Sequence, residues 1–374
     1  MERAGSHFHA AMAAGGNWQE LTDACIARLG PVPDATLGFL YATDAMAGRL
    51  PAVLDRLRRA TGVLHWIGTV GLGVCGAEGA AFDDPAMAVM AADLPPEAFR
   101  LFVPIDGELG PFLRDVLPWA ERHRPAFAVV HGDPRAPRLP ELVEQLSARL
   151  GTYLVGGLAA SRDAMPQIAG AVAEGGLSGA LFANTVAVAT GLTQGCSPIG
   201  PARTVTRADG HIVMEIDGRP ALDVFKEDIG ELLARDLRRV AGYIFAAFPV
   251  HGADTADYLV RGIMGLDTRR GWLAVGDHVA GGDRILFTRR DRRAAEDDLR
   301  RMLRDVRRRA GGPIRGAHYV SCIARGPSLF GDPDAEMAIL REELGEVPLA
   351  GFYANGEICR DRLYAFTGVL TAFT

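Results

Sequence analysis

"VPLAGFYANGEI" (347–358) decides how this chain is read. A short apolar run gives way to Asn355, Gly356 and Glu357, so a buried strand ends where an amide, a glycine and a carboxylate stand together. The same punctuation occurs twice earlier, in "LHWIGTVGLGV" (64–74) and "TYLVGGLAASR" (152–162). Upstream of each lies a helix-spaced segment, such as "LPAVLDRLRRATGV" with Leu50, Val53, Leu54 and Leu57 on one face. Before that comes another apolar run: "ATLGFLYATD" (35–44), "PAFAVVHGDPR" (125–135) and "GAHYVSCIARG" (316–326). After the glycine-rich corner a further strand follows, in "PAMAVMAADL", "SGALFANTVAVATGL" and "RLYAFTGVLTAF".

Each copy therefore reads strand, loop, helix, strand, glycine-rich turn, strand. Asp44 and Gly68 are 24 residues apart, Asp133 and Gly157 also 24, and Arg325 and Gly351 26. Repetition at this spacing is the first thing to settle about a fold. A strand, helix and strand within about 30 residues form a βαβ-like unit with its two strands parallel. Glycine after the second strand is expected to supply a sharp turn, since it takes positive φ without steric cost. A fourth, diverged copy is expected from "AGYIFAAFPV" (241–250) through "YLVRGIMGLDTRRGWLAVGDHVAGG". The expected class is α/β, with α+β as the alternative: repeated β-α-β-β units forming mixed sheets flanked by helices, in two pseudo-equivalent halves. Around "GLTQGCSPIGPARTVTRADGHIVMEIDGRPALDVF" (191–225) prolines and glycines break a strand, a hairpin turns at Asp209-Gly210, and a helix follows. The domain boundary is placed near residue 220, giving 1–220 and 221–374.

Length and composition narrow the function. The chain has 374 residues, 48% apolar and 23% charged, with a net charge of −6, which suits a globular protein of two domains. That charge argues against a dedicated nucleic-acid binder. Five scattered cysteines without a CxxC pair read as reduced thiols of a cytoplasmic protein. No apolar run is long enough for a signal peptide or a membrane span.

The Arg-rich segment 287–309 has an apolar face of Leu299, Met302, Leu303 and Val306 and an Asp297–Arg301 pair, as a solvated amphipathic helix does. Arg289, Arg290 and Asp291 precede it at a strand-to-helix junction, where Arg289 and Asp291 are candidate ligand contacts, as is Arg261 in "LVRGIMGLD". His131, His251, His278 and His318 sit in or beside apolar runs. Any one could ligate haem iron, although a structural role is the commoner one. No HxH or HExxH pair suggests a catalytic metal. Cys322 ends a strand three residues before Arg325, whose guanidinium would favour a thiolate. Packing as a small apolar residue is the simpler reading.

"SCIARGPSLFG" followed by "VPLAGFYANGEI" resembles the C-terminal half of the FIST family, and "TQGCSPIGP" with "DGRPALDVF" resembles the junction of its two halves. "FTRRDRRAAEDDL", "LVRGIMGLD" and, more loosely, "GGNWQELTDAC", "LGFLYATD" and "WIGTVGLGVCG" extend the likeness over essentially the whole chain. The resemblance implies a stand-alone bacterial FIST N plus FIST C protein. Such proteins are sensory modules that bind small ligands and signal to kinases, cyclases or chemoreceptors. Some members are haem proteins that sense nitric oxide, and a eukaryotic branch serves in ubiquitin-ligase adaptors. The family's usual "GFFCNGEI" reads "GFYANGEI" here, with Ala354 in place of a cysteine.

No segment resembles an output domain, so a separate signalling partner such as a kinase or cyclase is expected. Repeat register then gathers Cys322, Arg325, Gly326, Asn355, Gly356 and Glu357 at one mouth, with Asp44, Asp133 and Ser161 as their counterparts. Arg for carboxylate and Glu for ammonium suit an amino acid or similar metabolite. The alternatives are a haem-binding nitric-oxide sensor and a hydrolase or transferase using Cys322 or Glu357.

Overall fold

Strands with apolar residues on both faces belong in the interior of a layered α/β structure, and three such strands open three copies of one plan. The structure, a computed structural model, describes residues 7–235, 237–240, 242–250 and 257–374. Leu37–Thr43, Phe127–Gly132 and Gly316–Cys322 each run parallel to the strand after the following helix: His65–Gly71, Tyr153–Leu158 and Leu349–Ala354. The helices between them are Leu50–Thr61, Leu139–Leu150 and Ala335–Leu344. Leu50, Val53, Leu54 and Leu57 are buried, as their spacing predicts, and Gly62 closes that helix in a left-handed conformation. The third strands, Ala86–Ala92, Leu177–Phe182 and Thr367–Phe373, pair antiparallel with the first.

The repeat glycines do something other than turn the chain. Gly68, Gly156 (one residue before the expected Gly157) and Gly351 lie in mid-strand, opposite Leu40, Val130 and Tyr319. A Cβ there would stand 1.8, 1.9 and 1.8 Å from the facing carbonyl oxygen. They are glycines because the first strand passes too close for any side chain. Of the corner residues, Gly356 with φ 128° does serve the turn.

Past each second strand comes a short hairpin that joins another repeat's sheet. Gly73–Gly76 pairs with Leu349–Ala354, Gln167–Ala169 with His65–Gly71, and Glu357–Arg360 with Tyr153–Leu158. Phe8–Ala14, Phe99–Ile105 and Val188–Gln194 flank the three sheets on their other side. The corners lock to one another. Ala160 N donates to Val70 O at 3.1 Å, Leu158 N to Gly356 O at 2.9 Å, and Asn355 N to Leu158 O at 3.2 Å. The mixed α/β architecture of repeated units flanked by helices is thus the one expected.

In space, residues 1–193 with 296–374 form one compact unit, and 194–295 the other. Residue 220 falls inside the second unit, where the strand Arg219–Pro220 passes into the helix Ala221–Ile229. The hairpin of Arg203–Asp209 and Ile212–Ile216 is as predicted. The fourth repeat is not. Ile244–Pro249 and Tyr258–Asp267 are antiparallel neighbours, with no helix between them among the described residues. The stretch after Tyr258 has no helix-period apolar run to make one. Phe225 of the helix packs edge-on to Phe287 in this unit's core, ring centres 4.9 Å apart.

The Arg-rich run forms the helix Arg292–Ala310. Leu299, Met302, Leu303 and Val306 are buried, and Arg300 and Arg304 reach Glu343. Arg301 pairs with Asp298 at i,i+3, one residue nearer than the predicted Asp297. Among the described residues no helix is long and apolar enough to cross a membrane.

Candidate functional site

Side chains alternate along Gly316–Cys322, so Tyr319 and Ser321 share the face turned toward the helix Ala335–Leu344. There they meet Glu336: Tyr319 Oη donates to Oε1 at 2.8 Å, and Ser321 Oγ donates to Oε2 at 2.9 Å. Past Cys322 the chain turns back, with Arg325 N donating to Cys322 O at 2.8 Å. This turn sets Arg325 Nε 2.8 Å from Glu336 Oε1, with the guanidinium carbon 5.2 Å from the centre of the Phe330 ring. Arg325 and Glu336 are both 0% exposed. Arg325 Nη1 and Nη2 are buried and make no hydrogen bond.

A second buried carboxylate completes the corner. Glu357, also 0% exposed, accepts from Thr367 N at 3.0 Å and Thr367 Oγ1 at 2.7 Å, both on Oε2. Oε1 meets no N–H or O–H donor. The Cys322 thiol lies beside this carboxyl. Burial pushes the Glu357 carboxyl up to about 8, against the pull of Thr367, Cys322 and Arg325. Burial, and then Glu357, hold the Cys322 thiol well above its ordinary value. For Arg325, burial is outweighed by Glu336, Tyr319 and Glu357, and the guanidinium stays charged.

Register shows how local this chemistry is. Thr43, Asp133 and Cys322 each stand three residues past the one facing a repeat glycine, and Val74, Gln167 and Glu357 each stand one before it in the hairpin. The true counterparts of Cys322 are thus Thr43 and Asp133. In the second corner Gln167 is satisfied by Gly175 O and by Ser178 Oγ, and Asp133 by Arg135. In the first, Thr43 bonds to Asp84 O, and Val74 has nothing to offer. The third corner holds the ionisable pair with unmet atoms.

The structure therefore gathers Cys322, Arg325, Gly326, Gly356 and Glu357; a Cβ on Gly326 would touch Phe82 at 3.0 Å. Asn355 is exposed beside them. Asp44 is engaged by Arg162 N at 3.1 Å, and Arg162 also pairs with Asp83. Ser161 Oγ accepts from Asp163 N in a local turn. Arg261, Arg289 and Asp291 belong to the second unit. There Arg261 Nε meets Asp277 at 2.8 Å, and Arg289 lies 3.3 Å from Asp291. Asp291 accepts from Ala294 N, capping the helix that follows.

Sequence reasoning missed Glu336, Tyr319, Ser321 and Thr367. The signal for Glu336 was an acid beside Met337 and Leu340, on the side of the helix that packs inward.

A second polar cluster occupies the interior. Tyr41 Oη lies 3.1 Å from His131 Nε2 and 2.8 Å from His318 Nε2, and all three residues are buried. Burial lowers His318 to about 3 and His131 well below its usual value. Tyr41 occupies the Nε2 of each imidazole, and Phe39 and Phe352 pack on the rings. Full burial among aromatic rings makes either histidine a poor fit for a haem ligand, though His131 Nδ1 makes no hydrogen bond. His278 is exposed, and His251 lies outside the described residues. No group of three or more His, Cys, Asp or Glu that could hold a metal ion occurs among the described residues.

Open depressions lie elsewhere. One of about 390 Å³ is lined by Phe8, Leu94, Arg315 and Phe373, and one of about 410 Å³ runs along Phe99–Ile105. The residues of the Cys322 corner are themselves buried.

Fold and site together define an internally repeated α/β protein with one buried Arg–Glu corner. The chain matches the FIST N domain over residues 36–219 and the FIST C domain over residues 221–360, and it belongs to the FIST family. It is 31% identical over 371 residues to an uncharacterized protein of Mycobacterium tuberculosis strain H37Rv, covering 92% of this chain and 91% of that protein. It is 34% identical over 191 residues to an uncharacterized protein of Mycobacterium bovis, covering 49% of each. FIST domains are sensory domains.

Proposed function

We propose that this chain is a cytoplasmic sensory protein that binds a small polar metabolite, an amino acid or a molecule of similar size, at the Cys322–Arg325–Glu357 corner. It passes the signal to a separate partner such as a kinase or cyclase. One observation carries the reading: Arg325 Nη1, Arg325 Nη2 and Glu357 Oε1 are fully buried yet unmet. Leaving such groups without partners costs about 1–3 kcal/mol each, more when charged, so a molecule that satisfies them is held tightly.

A thiol-dependent hydrolase or transferase draws no support from Cys322, because a nucleophile must be thiolate and burial holds this one as the thiol. Calorimetry across a panel of amino acids and small metabolites tests the proposal. Saturable heat that weakens in Arg325→Lys supports it, and a silent panel overturns it.

A further inference from the structure

We infer that the group recognised by this corner is an uncharged oxygen acceptor, such as the carbonyl of an amide, urea or ketone, with Glu357 acting as a hydrogen-bond donor. The inference rests on the ligand-binding reading above and narrows it from amino acids to uncharged metabolites of similar size: Glu357 is not the anchor for an ammonium group that the sequence suggested.

The donor inventory comes first. Arg325 Nε is committed to Glu336, and Nη1 and Nη2, which can only donate, are unmet. The groups facing Glu357 are Cys322, Arg325, Thr367 and, across the hairpin, Tyr364. Thr367 directs both its N–H and its O–H at Oε2. Were Glu357 ionised, its bare Oε1 would draw an Arg325 N–H into a pair at about 2.7–2.9 Å. No such pair forms, and Oε1, with only the Cys322 thiol beside the carboxyl, is the natural seat of a proton. Burial, which raises this carboxyl to about 8, acts in the same direction. With its proton on Oε1, Glu357 adds an O–H to the two guanidinium N–H groups. Tyr353 Oη, beside Gly326, is also unmet and can donate as well as accept, so the unmet groups at the corner all have a hydrogen to offer.

Charge counting excludes an anion as the partner. Arg325 and Glu336 form a fully buried pair, which is neutral as a unit, and protonated Glu357 adds no charge. A carboxylate entering here would stand as an uncompensated buried charge, which proteins avoid. A zwitterion that ionised Glu357 would leave the same excess. An uncharged carbonyl oxygen satisfies the donors and leaves the corner neutral.

Three probes of nearly equal size separate the classes: acetamide, acetate and methylammonium, titrated at millimolar concentration and followed by amide chemical shifts. Acetamide is expected to shift resonances around 322–326 and 357–367 with at least tenfold tighter binding than acetate or methylammonium. Glu357→Gln, whose amide also donates, should keep acetamide binding within about threefold, and Arg325→Lys should weaken it at least tenfold. Tighter binding of acetate or methylammonium, or loss of acetamide binding in Glu357→Gln, overturns the assignment of an uncharged acceptor while leaving a binding site at this corner. No shift with any probe, or shifts indifferent to Arg325→Lys, overturns the site itself and the inference with it.

Discussion

Glu357→Gln offers a test of the buried carboxyl that needs no ligand. Burial raises this group from 4.5 to about 8, so the folded chain retains a proton that the unfolded chain releases. The sign follows directly. The protonated group's contribution to stability is complete below about pH 4.5, declines as pH rises, and is gone once both states are ionised above about pH 8. At about 1.4 kcal/mol for each tenfold change, the interval comes to on the order of 5 kcal/mol. Glutamine keeps the shape and cannot ionise. Urea denaturation of both proteins at pH 5 and pH 9, which spans most of that interval, should therefore show the wild type losing on the order of 4 kcal/mol more than the variant. Parallel losses would refute the reasoning, for Glu357 would then ionise as freely in the folded chain as in the unfolded one.

Other consequences are equally direct. Gly351→Ala places a Cβ against the Tyr319 carbonyl at 1.8 Å and should cost more than about 4 kcal/mol; a native circular-dichroism melt for this variant would contradict the mid-strand role. Glu336→Ala strands the buried Arg325 charge and should cost about 3–5 kcal/mol. Urea midpoints should show much of that returned when Arg325→Met and Glu336→Leu are combined. Tyr41→Phe removes the hydroxyl between His131 and His318, with an expected loss of about 1–3 kcal/mol in the same assay. Thr193 Oγ1 lies 2.9 Å from Asp298 Oδ2, so the first unit's segments come close at that point. Replacing residues 194–290 by a short glycine–serine linker should leave a cooperative melt of that unit.

Much of the first unit was legible because its repeats carry their physics in local patterns. Leu50, Val53, Leu54 and Leu57 mark a helix face, and the apolar runs around Leu40, Val130 and Tyr319 mark central strands. What escaped was long-range. That Gly68 and Gly156 make room for a neighbouring strand, rather than a turn, depends on residues 26–28 positions away in sequence. The hairpin at Glu357 reads as the end of one repeat, yet it pairs with Tyr153–Leu158 in another. Arg325 and Glu357 could be named from their chemistry beside glycine corners. Glu336 could not, because a helix sequence does not reveal that a buried guanidinium awaits one of its acids. Arg289 and Asp291 misled for a related reason: a charged pair before a helix serves as well for a cap as for a ligand.

Because every repeat lends its hairpin to another repeat's sheet, no copy is finished by its own residues. The sheet built on Phe127–Gly132 waits for Glu357–Arg360, some 200 residues later in synthesis. A nascent chain emerging from the ribosome must hold an open sheet edge until Glu357–Arg360 has been made. Completion of that sheet and delivery of the Glu357 carboxyl are then a single late event, so a chain lacking this hairpin would forfeit its architecture along with its buried Arg325–Glu336–Glu357 corner.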